Sequence, residues 1–457
     1  MSKSGIIAGV AITVLIGGAI AAFAVVWRPA IAAIEPAAPQ SFDPSLVKRG
    51  RDLAAIGNCS DCHTVRGGKS LAGGLPVPTP FGTIYSSNIT PDPDTGIGRW
   101  SEAAFRRAMR SGVDRAGRHL YPTFPYDHFT NVTDEDDRAL YAFLMTRPAV
   151  HAPARANKLA FPLNQRFVVA GWKLLFLKGE TYKPDSTQSA EWNRGAYLVE
   201  GLAHCGACHT PRNVLGAEKA STPFSGADVD NWHAYAINAG SPSPLPWTTA
   251  ALFNYLRQGW DPDHGVARGP MAEVVGNLSS VPESDVHAIA SYMSSVFGAP
   301  GKDRLDQANA TRAQIESSLV KSPAAAADHD TPGAAIYAAA CATCHESDRS
   351  VPYSGINLRL STSLSAPDPR NAANIILSGI RPVAGERSPI MPGFASSMND
   401  DQISALLNYL RGRFSNQPAW AGVEQIIRDA RRSETVFLQT QPEPNSAPAS
   451  SMQRDKP

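Results

Sequence analysis

Apolar residues return every three or four positions over short stretches of this chain, separated by long segments rich in glycine and proline. That spacing gives a series of short helices one apolar face each. The series has an internal repeat. An amphipathic helix such as Ser45 to Ala55 opens each unit and carries a glycine: Gly50, Gly195 and Gly333. A second helix ends at a glycine (Phe105 to Gly112, Leu252 to Gly259, Asn374 to Gly379), and a last helix follows an acidic start (Asp134 to Met145, Glu283 to Ser294, Asp400 to Arg411). The pattern predicts an all-α fold of three tandem units whose long loops pack between the helices.

One stretch breaks the amphipathic rule. Gly5 to Trp27 holds no charged residue and is bracketed by Lys3 and Arg28. As a helix it would be ~34 Å long, enough for a bilayer core, so it is expected to be a retained N-terminal transmembrane helix. Ala30-Ile-Ala32 could otherwise serve as a signal-peptide cleavage site. Lys3 would keep the N-terminus cytoplasmic and place the rest on the periplasmic face of a bacterial inner membrane. Pro29 to Pro44 reads as an extended tether, with four prolines and no helical pattern. Gln439 to Pro457 has the composition of a disordered tail.

The 457 residues suit about three domains, and a formal net charge of +1 with 18% charged residues offers no field for nucleic acid. The six cysteines change the picture. All fall in three pentapeptides: Cys59-Ser-Asp-Cys62-His63, Cys205-Gly-Ala-Cys208-His209 and Cys341-Ala-Thr-Cys344-His345. Two thiols three residues apart on one turn can both add to the vinyl groups of a haem, and the next residue sets its imidazole under the iron. One such motif alone could be half a zinc site or a redox dithiol. Here each pair has its own histidine and lies far from the next, so three covalently bound haem c groups are expected, each wrapped by its own domain.

The opposite iron face needs a second ligand. Met271 follows Gly259 by twelve residues and Met391 follows Gly379 by twelve, each beside a proline that bends the chain. Methionine is commonly core filler, but the repeated offset points to thioether ligands in domains two and three, with Met398 a weaker competitor in the third. The same count from Gly112 lands on Phe124, which cannot ligate iron. The first site is then either open or served by His128, with Met145 the next candidate; the competing view of His128 is a surface or propionate-contacting residue.

With these motifs the chain resembles the three-haem cytochrome c subunits of membrane-associated bacterial dehydrogenases. The resemblance covers about residues 43–415 and rests on Gly96-Ile-Gly-Arg-Trp100, Gly117-Arg-His-Leu-Tyr-Pro122, Cys205-Gly-Ala-Cys-His-Thr-Pro-Arg212-Asn213 and Met391-Pro-Gly-Phe394. Together with the repeat, the apolar run and the composition, it gives cytochrome c domains at 43–180, 186–300 and 331–415, after an anchor and tether at 1–42, with a linker at 301–330 and a largely disordered tail at 416–457. Members serving alcohol, gluconate and fructose dehydrogenases carry Met where this chain has Phe124. The wording Phe-Pro-Tyr-Asp-His-Phe is more similar to members paired with molybdenum hydroxylases of aldehydes or N-heteroaromatics such as nicotinate or isoquinoline. The implied role is a non-catalytic electron-transfer subunit of the respiratory chain. It would take electrons from a large dehydrogenase subunit, with a small iron–sulfur subunit alongside, and pass them to ubiquinone, an oxidase or a soluble cytochrome. No Gly-x-Gly-x-x-Gly unit for a nucleotide is present and no cysteine remains for nucleophilic work, which favours a carrier over a catalyst. The rival readings are an oxidase-associated cytochrome and a stand-alone haem enzyme, either a peroxidase or a sulfur-compound dehydrogenase.

Overall fold

A computed structural model describes Gly17, Phe23 and residues 25–320, 331–347, 351–381 and 388–439. The first unit is built from α1 (Pro44–Ile56), α2 (Glu102–Ser111) and α3 (Asp134–Met145), followed by α4 (Arg166–Phe176). The second has α5 (Ala190–Tyr197), α6 (Thr249–Gln258), α7 (Pro270–Leu278) and α8 (Glu283–Phe297), and α9 (Lys302–Val320) leads on to the third, α10 (Pro332–Ala340), α11 (Arg370–Ser378), α12 (Asp400–Phe414) and α13 (Val423–Gln439). The starts are chemically marked: the side chains of Asp43, Ser101, Thr133, Ser189, Thr248, Thr331 and Asn399 each accept a backbone N–H of the first helical turn.

In every unit the first helix crosses the one with the acidic start (α3, α8 or α12) at the glycine marked by the repeat. A Cβ on Gly50 would stand 1.9 Å from the carbonyl oxygen of Ala139, one on Gly195 1.9 Å from that of Ala288, and one on Gly333 2.3 Å from that of Ala405. Only a residue without a side chain lets the two backbones meet there. Short antiparallel hairpins fill part of the loops, which helical periodicity did not foresee: β1 (Pro76–Thr79) with β2 (Gly82–Tyr85), extended by β3 (Lys158–Leu159), and β4 (Ala227–Val229) with β5 (Trp232–Ala234).

Units one and two share one hydrophobic core. It runs from Leu53 and Ile56 through Phe129, Leu140 and Met145 to Leu198, Leu202, Ile289 and Met293. A polar bridge seals the same boundary: buried Asp136 receives the Tyr197 hydroxyl at 2.6 Å and pairs with Arg49 at 2.6 Å. The third unit has its own core around Tyr337, Ile403 and Leu407.

Several expectations are corrected. Among the described residues no helix is long and apolar enough to cross a membrane, so the transmembrane helix placed ahead of the three domains, and the membrane-anchored localisation built on it, do not stand; most of Gly5 to Trp27 lies outside the described residues. The tether is laid along domain one. The Ile31 N–H donates to the Arg115 carbonyl at 2.9 Å, Arg107 donates to the Pro29 carbonyl at 2.7 Å, and His119 Nε2 meets the Val26 carbonyl at 2.8 Å. Part of the 301–330 linker is helix α9, the alternative that the amphipathic stretch Gln307 to Val320 allows, and its Ala308 is buried with Leu245 and Leu360 between units two and three. The tail also begins as structure, since Trp420, Val423, Ile427 and Ala430 complete the third core. Residues 440–457 lie outside the described residues.

Candidate haem-attachment sites and their connections

Each Cys-x-x-Cys-His stretch forms a single helical turn, Cys59–His63, Gly206–His209 and Ala342–His345, which points both thiols of a pair the same way. The six thiols are free of disulfides. Burial pushes Cys59 and Cys205 up to about 12 and Cys341 up to about 11. Zinc needs thiolates, so such protonated, apolar-set thiols suit thioether formation better than a metal–sulfur cluster.

The histidines are bound alike in all three units. Nδ1 of His63 lies 2.6 Å from the Ser87 carbonyl, that of His209 2.7 Å from the Tyr235 carbonyl, and that of His345 2.8 Å from the Ile356 carbonyl. Burial holds each below the ordinary imidazole pKa. A neutral ring donating through Nδ1 keeps its lone pair on Nε2, the arrangement of an oriented metal ligand. In the third unit the approach depends on Gly355, where a Cβ would stand 2.6 Å from His345 Nδ1.

Met271 and Met391 both line a cavity. One continuous, mostly apolar cavity is lined by Cys205, Cys208, His209 and Met271 on one side and by Cys341, His345 and Met391 on the other. Met271 sits in the first turn of α7, after Pro270, and not in a free loop. Met391 pairs with Ile380 in a two-bond backbone bridge. Cys344 is exposed. Met398 packs at the edge of the third core, and Met145 is buried in the shared one.

The first unit differs. The Phe124 ring is wedged against Phe129 at 5.3 Å and Tyr126 at 6.5 Å. His128 turns away to unit two. Its Nδ1 meets the Glu200 carbonyl at 3.0 Å and its Nε2 meets Glu218 at 2.8 Å, so both ring nitrogens are engaged. Burial alone would lower the His128 pKa, but the Glu218 hydrogen bond and charge, helped by Asp127, raise it to about 9.

Sequence reasoning missed several groups at these sites. His264 lines the shared cavity, stacks on Trp247 at 3.8 Å and is held through Nδ1 by Asp261 at 2.8 Å, while its buried Nε2 has no partner in the protein. An orphaned polar atom beside an apolar cavity fits a bound group that fills the cavity and brings a polar partner to it. Asn277, on α7 with Met271, donates to Asn58 and to Asp61, both at 2.9 Å, and so grips the first attachment turn. The Asp-Pro-Asp-His run could have flagged His264. Nothing local marks Asn277.

Comparison with known proteins agrees with this geometry. A cytochrome c family model matches residues 47–148, and a model described as cytochrome c oxidase, cbb3-type, subunit III matches residues 328–410. The chain is 46% identical to a nicotinate dehydrogenase subunit of Pseudomonas putida over 90% of its own length and 34% of that protein, so it spans about a third of that relative. It is 36% identical to the fructose dehydrogenase cytochrome subunit of Gluconobacter japonicus (86% of this chain, 84% of the relative) and 37% identical to the gluconate 2-dehydrogenase cytochrome c subunit of Pantoea cypripedii (87% and 92%). Motif turns, oriented histidines and relatives matched over most of their length together place the chain in the family of dehydrogenase cytochrome c subunits.

Proposed function

We propose that this chain holds three covalent haem c groups and relays electrons from a partner dehydrogenase toward a quinone, an oxidase or a soluble carrier. The carrying observation is the threefold recurrence of one arrangement, a Cys-x-x-Cys-His turn with its imidazole Nδ1 fixed to a backbone carbonyl. Bound haem supplies reversible one-electron chemistry at iron. The protein holds it through the six cysteines and orients His63, His209 and His345 toward it. Met271 and Met391 offer thioethers, and the walls around sites two and three are mostly apolar. Asn277 fastens the first attachment turn to the helix bearing Met271, and the second and third motifs line one cavity, which supports a relay through all three.

A partner acting on an N-heteroaromatic or aldehyde, of the molybdenum-hydroxylase kind, is supported by the relative named as a nicotinate dehydrogenase subunit and by the Phe-Pro-Tyr-Asp-His-Phe wording. The test has two arms. The mass of the purified chain should exceed its sequence mass by three haems, and a large substrate-oxidising subunit should co-purify and reduce those haems when its substrate is added. A mass showing two haems, or a partner that reduces dye while the haems stay oxidised, would sink the three-site relay.

A further inference from the structure

Domain one completes its hairpin from within: β3 lies beside β2, pairing Leu159 with Gly82 and Lys158 with Thr83. The hairpin of domain two has only β4 and β5. Its missing neighbour comes from domain three. Asn371, in the first turn of α11, accepts the His233 N–H at 2.9 Å and donates to the His233 carbonyl at 2.8 Å, the two bonds an adjoining strand would make. One turn on, Asn374 donates to the Asn231 carbonyl at 2.9 Å. Both asparagines are buried.

The clamped strand touches both sides of site two. Two residues past His233, the Tyr235 carbonyl fixes His209 Nδ1, and the Tyr235 hydroxyl donates to Ser363 of domain three at 2.9 Å. One residue before it, the Trp232 ring lies where a Cβ on Gly269 would stand 2.5 Å away, two residues from Met271. We infer that Asn371 is a positioning residue for site two, so that the docking of domain three sets how the imidazole of His209 is presented. This rests on the haem reading of the Cys205–His209 turn.

The experiment uses the full-length holoprotein. A Cys205→Ala, Cys208→Ala double variant lacks the second haem, and the difference from wild type assigns that haem's signals in electron paramagnetic resonance and redox titration. If the double variant keeps its full haem content, the attachment reading itself fails, whatever Asn371 does. With the signals assigned, Asn371→Ala should displace the resonance and potential of the second haem while those of the first stay in place, and should slow transfer between the second and third. Asn371→Asp, which keeps the acceptor and loses the donor, should move the same signals less. Tyr235→Phe removes only the hydroxyl link and should move them in the same direction, which decides the matter if Asn371→Ala loses haem or fails to fold. Unchanged second-haem signals in Asn371→Asp and Tyr235→Phe, or equal displacement of all haems, would overturn the inference.

Discussion

Phe124 and Met271 stand at the same count from the glycine that closes the middle helix, yet only Met271 can offer sulfur to iron. Removing a thioether should convert one haem at a time: Met271→Ala and Met391→Ala are each expected to turn one haem high-spin and lower its potential, as absorption spectra and redox titration would show. A single variant that altered every haem would contradict the pairing of sulfur with site. His128 makes a different expectation. Because Glu200 and Glu218 hold both its nitrogens, His128→Ala should leave the haem spin states alone and instead weaken the joint between units one and two. Glu218 would then lose its 2.8 Å hydrogen bond and be left with Arg212 at 3.9 Å, a loss on the order of 2–3 kcal/mol in denaturant unfolding. The sign of the pH effect follows. A histidine raised from 6.5 to about 9 binds its proton more tightly when folded, so its stabilisation is complete below 6.5 and falls away as pH climbs to about 9. Unfolding midpoints that stayed level across that window in wild type would argue against the charged pair.

The three repeated helices of each unit, the glycines that end the middle ones and the attachment turns are legible in the sequence because each depends on chemistry within a few residues, whereas α4, α7 and α13 are not. The spacing from marked glycine to first cysteine is nine, ten and eight residues in the three units, and the structure explains the longest: Leu198–Leu202 is a π-helical turn, which takes one residue more. What the sequence could not show was contact across distance. Asn371 and His233 are 138 residues apart, and the hairpin they complete has no helical period to betray it. The membrane-spanning expectation rested on composition alone. At this scale the crossing glycines give a sharp contrast. Gly50→Ala, Gly195→Ala and Gly333→Ala press a methyl into an opposing carbonyl and should each cost at least about 1–3 kcal/mol, with loss of haem from that unit. Gly412→Ala, in α12 with open space around it, should instead stabilise by about 0.4–1 kcal/mol. Calorimetry and haem stoichiometry on the four variants would check both directions.

Among the described residues two large cores serve three units, with a small cluster of Leu245, Ala308 and Leu360 between units two and three. Cooperative unfolding follows shared burial, so denaturation should proceed in two steps: units one and two together, the third by itself. A three-step curve, or one in which unit one melts ahead of unit two, would show the joint to be weaker than the packing indicates. The shared core also constrains what lengths of this chain can exist. Cutting after the second unit removes the third core, leaves the shared one whole and uncovers Leu245, which loses Ala308 and Leu360. Cutting after the first strips away Leu198, Val199 and Leu202, fully buried residues that belong with Ile56 and Phe129, and exposes a greasy half-interior. Gene shortening should therefore yield folded proteins of two or three units, the shorter with site two stripped of its Asn371 and Ser363 contacts, while a lone first unit would be a casualty of its own missing partner.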